Sequence, residues 1–317
     1  MAQPTNTFDT YDVIGMREDL YDKIYNVDPD EVPFLSSMPK VKASNTYHEW
    51  QTDVLDTPSA TNARIQGDDS TADAITPTVR RGNRTQIFGK EVTISGTMEA
   101  TNRAGRGREA AYQKMLKAKA LKTDMEMSIF ANNAAVTGNN TTAAELAGAP
   151  AWLTSNTSTG ATGADPTGDG TDARTDGTQR AFTETLLNGV LSSIWDNSGV
   201  KPDCVYMGSF NKQAASAFTG TATRTFDVMA QTKKLTTVID VYEYDFGVVK
   251  FEPNRHVRAR DAVVVNSQMW AWAELRPMFD EQLAKTGDAD KFHILAEATL
   301  VCRNEAASGI VADLTTS

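Results

Sequence analysis

Ser209 and Lys212 stand one helical turn apart in Ser209-Phe-Asn-Lys212, and Lys285-Thr-Gly287 follows later in the chain. In that order they match the S-x-x-K and K-T-G strings of penicillin-binding acyl-enzymes, in which the lysine activates the serine as a nucleophile. A serine acyl-enzyme built on Ser209 and Lys212 is therefore one functional alternative. Its third element, a Ser-Asp-Asn or a Ser/Tyr-x-Asn between the two strings, is absent. A helix cap at Ser209 and a turn at Lys285–Gly287 account for both strings without chemistry.

The other chemical candidates are weaker. His48, His256 and His293 are scattered, with no second ligand at metal spacing. Asp165, Asp169, Asp172 and Asp176 have the composition of a calcium loop but neither its spacing nor its closing Glu. Gly105-x-Gly107-x-x-Ala110 opens a helix, where a phosphate could bind. No strand runs directly into it, and Gly168-x-Gly170-x-x-Ala173 has no preceding strand at all. Asp245-Phe-Gly247 lacks the other kinase elements and reads as a hairpin turn. Cys204 and Cys302 form no C-x-x-C and read as two buried free thiols. No catalytic residue, metal or cofactor is expected.

Composition narrows the partners. The chain has 317 residues, enough for about two structural bodies, with 40% hydrophobic and 23% charged residues. A net charge of −10 argues against bulk nucleic-acid binding. The polar start, MAQPTNTFDTYDV, has no apolar signal region, and the aliphatic run Ala262–Val265 is far too short to span a bilayer, so no membrane partner is expected.

The elements that must carry any site are organised around Glu109 to Asn132, a run of helix formers without Gly or Pro. Ala111, Met115, Ala118, Leu121, Met125 and Ile129 form one apolar stripe along it. Before this spine, residues 1–45 read as an arm, with a short helix at Met16–Ile24 and breaks at Pro29, Pro33 and Pro39. Val32, Phe34, Leu35 and Met38 are too few for a core, so the arm is expected to lie on something else. Thr46–Leu55 alternates as a strand, with His48, Trp50, Thr52 and Val54 on one face. After a polar run, Thr78–Ser95 is a second extended segment with a turn signal at Gly82-Asn83. An isolated ribbon of this kind is marginal in water. It is expected to lie on a neighbouring copy, its Arg64, Arg80, Arg81, Arg84 and Lys90 facing an acidic patch there, with Trp50 and Phe34 as further assembly contacts. A solvated surface ribbon is the plainer alternative.

Thr137–Thr178 reads as a flap. Residues 179–275 read as an α/β body: helices at Phe182–Asp196 and Ser209–Phe218, and strands at Asp203–Met207, Thr237–Tyr244, Val248–Glu252, Ala262–Asn266 and Met269–Leu275. Pro277–Asn304 reads as a strand, a turn at Lys285–Asp288 and a long strand packing back on the spine.

This order resembles the major capsid proteins of tailed bacteriophages with the Hong Kong-type fold. The strings YDVIGMREDLYDKIYNVDPDEVPFLSSM, GAPAWL, DGTQRAFTETLL, MGSFNKQ, YEYDFGVVKFEPNRHVRARD and AELRPMFDEQLAKTGDADKFHILAEATLVCRNEAASGIVADL carry the likeness from Tyr11 to Leu314. It implies an α+β fold with an N-terminal arm (1–45), an extended loop (46–100), a spine helix and flap (101–178), an axial domain (179–274), and peripheral strands with the C-terminus (275–317). It implies a structural, non-enzymatic subunit of the virion. Such subunits assemble in the host bacterial cytoplasm through pentamers and hexamers into an icosahedral head, which encloses double-stranded DNA without sequence-specific binding. The implied partners are a separate scaffolding protein, a portal and a decoration protein. A tail or decoration protein is the structural alternative, but tail-tube proteins are dominated by strands, which the spine helix disfavours.

Overall fold

The computed structural model describes residues 31–67, 69, 73–101, 107–218 and 240–317. In chain order its elements are α1 (Pro33–Ser37), β1 (Lys40–Lys42), β2 (Tyr47–Thr52), β3 (Val79–Arg84), β4 (Gln86–Ser95), α2 (Gly96–Ala100), α3 (Glu109–Phe130), β5 (Thr157–Ser158), α4 (Glu184–Ser198), β6 (Cys204–Met207), α5 (Ser209–Ser216), β7 (Val241–Tyr244), β8 (Gly247–Pro253), β9 (Ala262–Val265), β10 (Trp270–Gln282), β11 (Ala289–Cys302) and β12 (Gly309–Val311). The helix expected at Met16–Ile24 lies outside the described residues.

The strands form a six-stranded sheet in the order β5-β12-β9-β6-β8-β7, a four-stranded sheet in the order β1-β10-β11-β4, and the two-stranded ribbon β2-β3. At the centre of the six-stranded sheet, β6 and β9 are buried at every position. Val205, Met207, Ala262 and Val264 join Leu187, Val190, Leu191 and Ile194 of α4 in one core. Cys204, Tyr206, Val263 and Val265 join a larger core with Phe34, Ile129, Phe130 and Trp270. A strand covered on both faces needs the all-apolar runs CVYM and AVVV. Gly199 ends α4 at φ +65°, the left-handed cap that glycine adopts without strain.

The spine α3 packs against β4 and β11, but its stripe is only half covered. Leu121, Met125 and Ile129 are buried, whereas Ala111 is exposed and Met115 is 49% exposed. Lys114 pins the outer half to the sheet, bonding Asp280 at 2.8 Å and lying 4.7 Å from the centre of the Phe292 ring. Lys90 of β4 pairs with Asp124 at 2.5 Å.

Four expectations need correction. First, Met269–Leu275 and the strand expected from Pro277 are one strand, β10. Its pairing with β11 shifts register between Glu274 and Arg276 and between Arg276 and Phe279, and this irregular stretch accommodates a proline that cannot donate to the ladder. Second, Gly82-Asn83 is not a turn but the interior of β3. A Cβ at Gly82 would come within 2.7 Å of the Tyr47 ring, so glycine lets that ring lie across the ribbon. Third, Ser209 is the first residue of α5 and makes no cap; Gly208 holds the cap position. Fourth, β12 lies in the six-stranded sheet between β5 and β9, not with the strands expected for 275–317.

Candidate assembly site

The ribbon projects from a base that is fixed within the chain. Asn83, fully buried, donates to the carbonyls of Leu300 (2.8 Å) and Ala147 (3.3 Å), and its Oδ1 accepts from Ala147 N (2.9 Å). Thr85 Oγ1 donates to Glu297 at 2.9 Å, and Arg276 Nε donates to the other oxygen of Glu297 at 2.7 Å. Beyond that base, every described residue from 53 to 80 is exposed. The large aliphatic side chains most open to water there are Val54 (75% exposed), Leu55 (98%), Ile65 (79%) and Ile75 (94%). A monomer gains nothing from this arrangement, whereas contact with a partner would remove apolar surface from water.

The charges expected to reach a neighbour are engaged within the chain. Arg80 Nε donates to Glu49 at 2.6 Å, and Arg81 donates to the Gly168 carbonyl at 2.5 Å. Arg84 lies 4.4 Å from the centre of the Tyr47 ring, and Lys90 is held by Asp124. Arg64 has only a loose, exposed ion pair with Asp73 at 3.7 Å. Trp50 is half-buried, its ring 5.4 Å from that of Trp152, so it turns toward the chain's own core. Beside these partly engaged cations, the loop leaves aliphatic side chains without cover.

The arm, too, differs from expectation. Phe34 is fully buried, its ring 5.2 Å from Tyr206, 5.3 Å from Phe130 and 6.2 Å from Trp270. It is a core residue of its own chain, not a contact for another. What seats it is Glu126, which counting apolar residues missed. This carboxylate, fully buried on the spine, accepts Phe34 N (3.0 Å), Leu35 N (2.8 Å) and Asn254 Nδ2 (2.7 Å). Val32 supplies no side-chain cap to α1, so Glu126 satisfies the first free amides of that helix from 91 residues away. Burial raises its pKa, opposed by those three hydrogen bonds. A Glu between Met125 and Ile129, on the buried half of the stripe, was the available signal.

The flap is held by Asp313, itself at φ +61° and fully buried. Its carboxylate accepts Gly160 N (2.9 Å), Gly177 N (2.7 Å) and Arg260 Nη2 (2.6 Å), and these bonds keep its pKa below the usual carboxylate range against the cost of burial. A Cβ on Gly160 would stand 2.1 Å from the Thr178 carbonyl, which explains the glycine.

The enzyme-like strings come apart. Lys212 pairs with Asp240 at 3.2 Å beside the six-stranded sheet, while Lys285 pairs with Asp290 at 3.4 Å at the far turn of the four-stranded one. Glu99 accepts the amides of Glu109 (3.2 Å) and Ala110 (3.4 Å), so a carboxylate occupies the start of α3 where a phosphate was considered. Asp169 and Asp172 bond Thr167 within their own loop, and Asp165 and Asp176 pair with arginines. Asp245 and Phe246 turn the β7-β8 hairpin. Cys204 and Cys302 are free and buried, and burial pushes the Cys204 thiol up to about 12.

The family model for the SU10 major capsid protein matches residues 3–315. The chain belongs to that family. The major capsid protein of Escherichia phage Phieco32 is 36% identical over 134 residues, a match spanning 42% of this chain and 38% of that relative's length. Three solved structures show the fold. The cyanophage A-1(L) capsid asymmetric unit superimposes with a TM-score of 0.65 at 14% identity, covering 98% of this chain and 99% of its own. The corresponding values are 0.63, 10%, 99% and 98% for Gordonia phage Cozz. They are 0.56, 11%, 99% and 100% for the phage G structure of major capsid and decoration proteins. The architecture is therefore the Hong Kong-type α+β capsid fold. Arm, extended loop, spine, axial and peripheral parts are names for pieces of one family plan.

Proposed function

We propose that this member of the capsid family assembles with copies of itself, through pentamers and hexamers, into the icosahedral head that encloses double-stranded phage DNA. The carrying observation is the ribbon: a rigid base at Asn83 supports a loop whose Val54, Leu55, Ile65 and Ile75 have no cover within the chain. An acidic subunit, net charge −10, suits a container that must not adhere to its DNA. Assembly would take place in the host bacterial cytoplasm, with a scaffolding protein and a portal as partners and a decoration protein on the outside.

Electron microscopy and sedimentation of the expressed protein, with and without scaffold, test this. Closed shells are expected. A monomer at every concentration, with or without scaffold, would overturn the proposal. Deleting residues Ser59–Thr76 is expected to abolish shells while leaving the subunit folded.

A further inference from the structure

The loop and one groove on the same chain are complementary. The groove, of about 510 Å³, lies where the spine ends against the turn after β8. Phe130 is buried at its floor and Met127 stands on its wall with 62% of its surface exposed. Arg255, His256 and Arg258 line the other side, with Asp176 between. Asp176 is already committed, since Arg258 and Arg260 both bond it at 2.6–3.1 Å. Arg258 is further engaged by Asp261 at 3.0 Å. Arg255 is exposed and makes no ion pair or hydrogen bond among the described residues. The groove thus offers an exposed thioether over an aromatic floor, beside one uncommitted cation and a histidine.

On the ribbon, just beyond β2, the chain reads Asp53-Val-Leu-Asp56. Val54 and Leu55 are the aliphatic pair in water. Asp53 only accepts the amide of its neighbour Val54, and Asp56 makes no ion pair or hydrogen bond among the described residues. Two apolar side chains flanked by two carboxylates have the opposite charge to the groove and the same apolar centre. Opposite charge at the rim sets register and orientation, and the apolar centre supplies the burial.

We infer that residues 53–56 of one copy dock into the groove formed by Met127, Phe130, Arg255 and His256 of a second copy. This rests on the self-assembly proposed above, and the two can fail separately. Leu55 would sit against Met127 and Phe130, with Asp56 or Asp53 on Arg255.

Charge reversal tests the pairing. The loop variant Asp53→Lys/Asp56→Lys and the groove variant Arg255→Asp are each expected to lower shell yield by about tenfold or more, since like charges at an interface disfavour association strongly. Both sites are exposed, so circular dichroism of the unassembled subunits should be unchanged. Combining all three substitutions restores the opposite-charge pair and should recover most of the yield. Normal shells from either single-site variant would overturn the docking and leave self-assembly standing. So would failure of the combination to recover. An Arg255→Asp defect that the loop reversal does not rescue would assign the groove to a different acidic partner. An independent readout is Leu55→Cys with Met127→Cys. Because Cys204 and Cys302 are buried, mild oxidation of shells should give disulfide-linked multimers only in the double variant. Their absence would also overturn the docking. If the unaltered protein never forms shells, the self-assembly proposal itself fails.

Discussion

The carboxylate of Glu126 accepts the backbone N–H of Leu35 at 2.8 Å, joining the C-terminal end of the spine to the first turn of the arm helix. The same side chain bonds Phe34 N and Asn254 Nδ2, so one buried group sets the relative positions of arm, spine and six-stranded sheet. Glu126→Ala would leave three buried donors without an acceptor. A loss of roughly 2–4 kcal/mol is expected in urea unfolding of the unassembled subunit. Hydrogen exchange at residues 33–38 should rise with it, and Glu126→Gln, which keeps an acceptor oxygen, should lose less.

Phe34→Ala distinguishes a core arm from an interface arm. Phe34 is fully buried within its own chain. The substitution is expected to cost about 3–5 kcal/mol in the isolated subunit. Unchanged subunit stability combined with lost assembly would return Phe34 to the interface.

Asp261 gives a pH dependence with a definite sign. Burial raises its pKa from 3.8 to about 6, against the pull of Arg258. The folded chain therefore binds this proton more tightly than the unfolded chain. Its contribution to stability falls as pH rises from about 4 to about 6 and is level above that, by up to roughly 3 kcal/mol in total. Urea midpoints from pH 4 to 8 should show a slope in the native protein that is reduced in Asp261→Asn. Asp313 acts in the opposite direction. Its lowered pKa means that its contribution is present above about 4 and is lost only at more acid pH.

Ala118→Pro breaks the spine in its middle. Proline removes a helix hydrogen bond and clashes with the preceding turn, at about 3 kcal/mol or more. Shell formation is expected to stop, as seen by electron microscopy. The α4-covered core, which shares no residue with the spine, should keep its near-ultraviolet signal.

Gly160→Ala places a methyl group 2.1 Å from the Thr178 carbonyl and crowds Asp313. A destabilisation of about 1–3 kcal/mol is expected, with faster protease cleavage between residues 154 and 180.

Local signals were legible in the sequence, and long-range partners were not. The spine was readable because 22 consecutive residues favour one conformation, and it forms over Glu109–Phe130 as expected. The α4 stripe and its Gly199 cap were readable for the same reason. The arm was misjudged because four apolar residues look insufficient until Tyr206, Phe130 and Trp270 are brought to them by strands and a helix far away in sequence. The partners that the ribbon's cations find within the chain are hidden for a related reason. Nothing near Arg81 in sequence says that the carbonyl of Gly168 will meet it, and nothing near Lys90 points to Asp124. The exposure of the aliphatic pair Val54 and Leu55 depends on where β2 ends, which alternation in the sequence does not mark.

The insertion of β12 between β5 and β9 bears on synthesis as well as architecture. Its three residues are made after every other strand of the sheet, yet they hold an interior position in it. A chain stopped before Gly309 would lack the strand that joins β5 to β9, and would lack Asp313, which bonds Gly160 and Gly177 of the flap. If the subunit surface depends on that closure, chains ending before Gly309 are expected to be left out of shells, which quantifying truncated chains in purified particles would check.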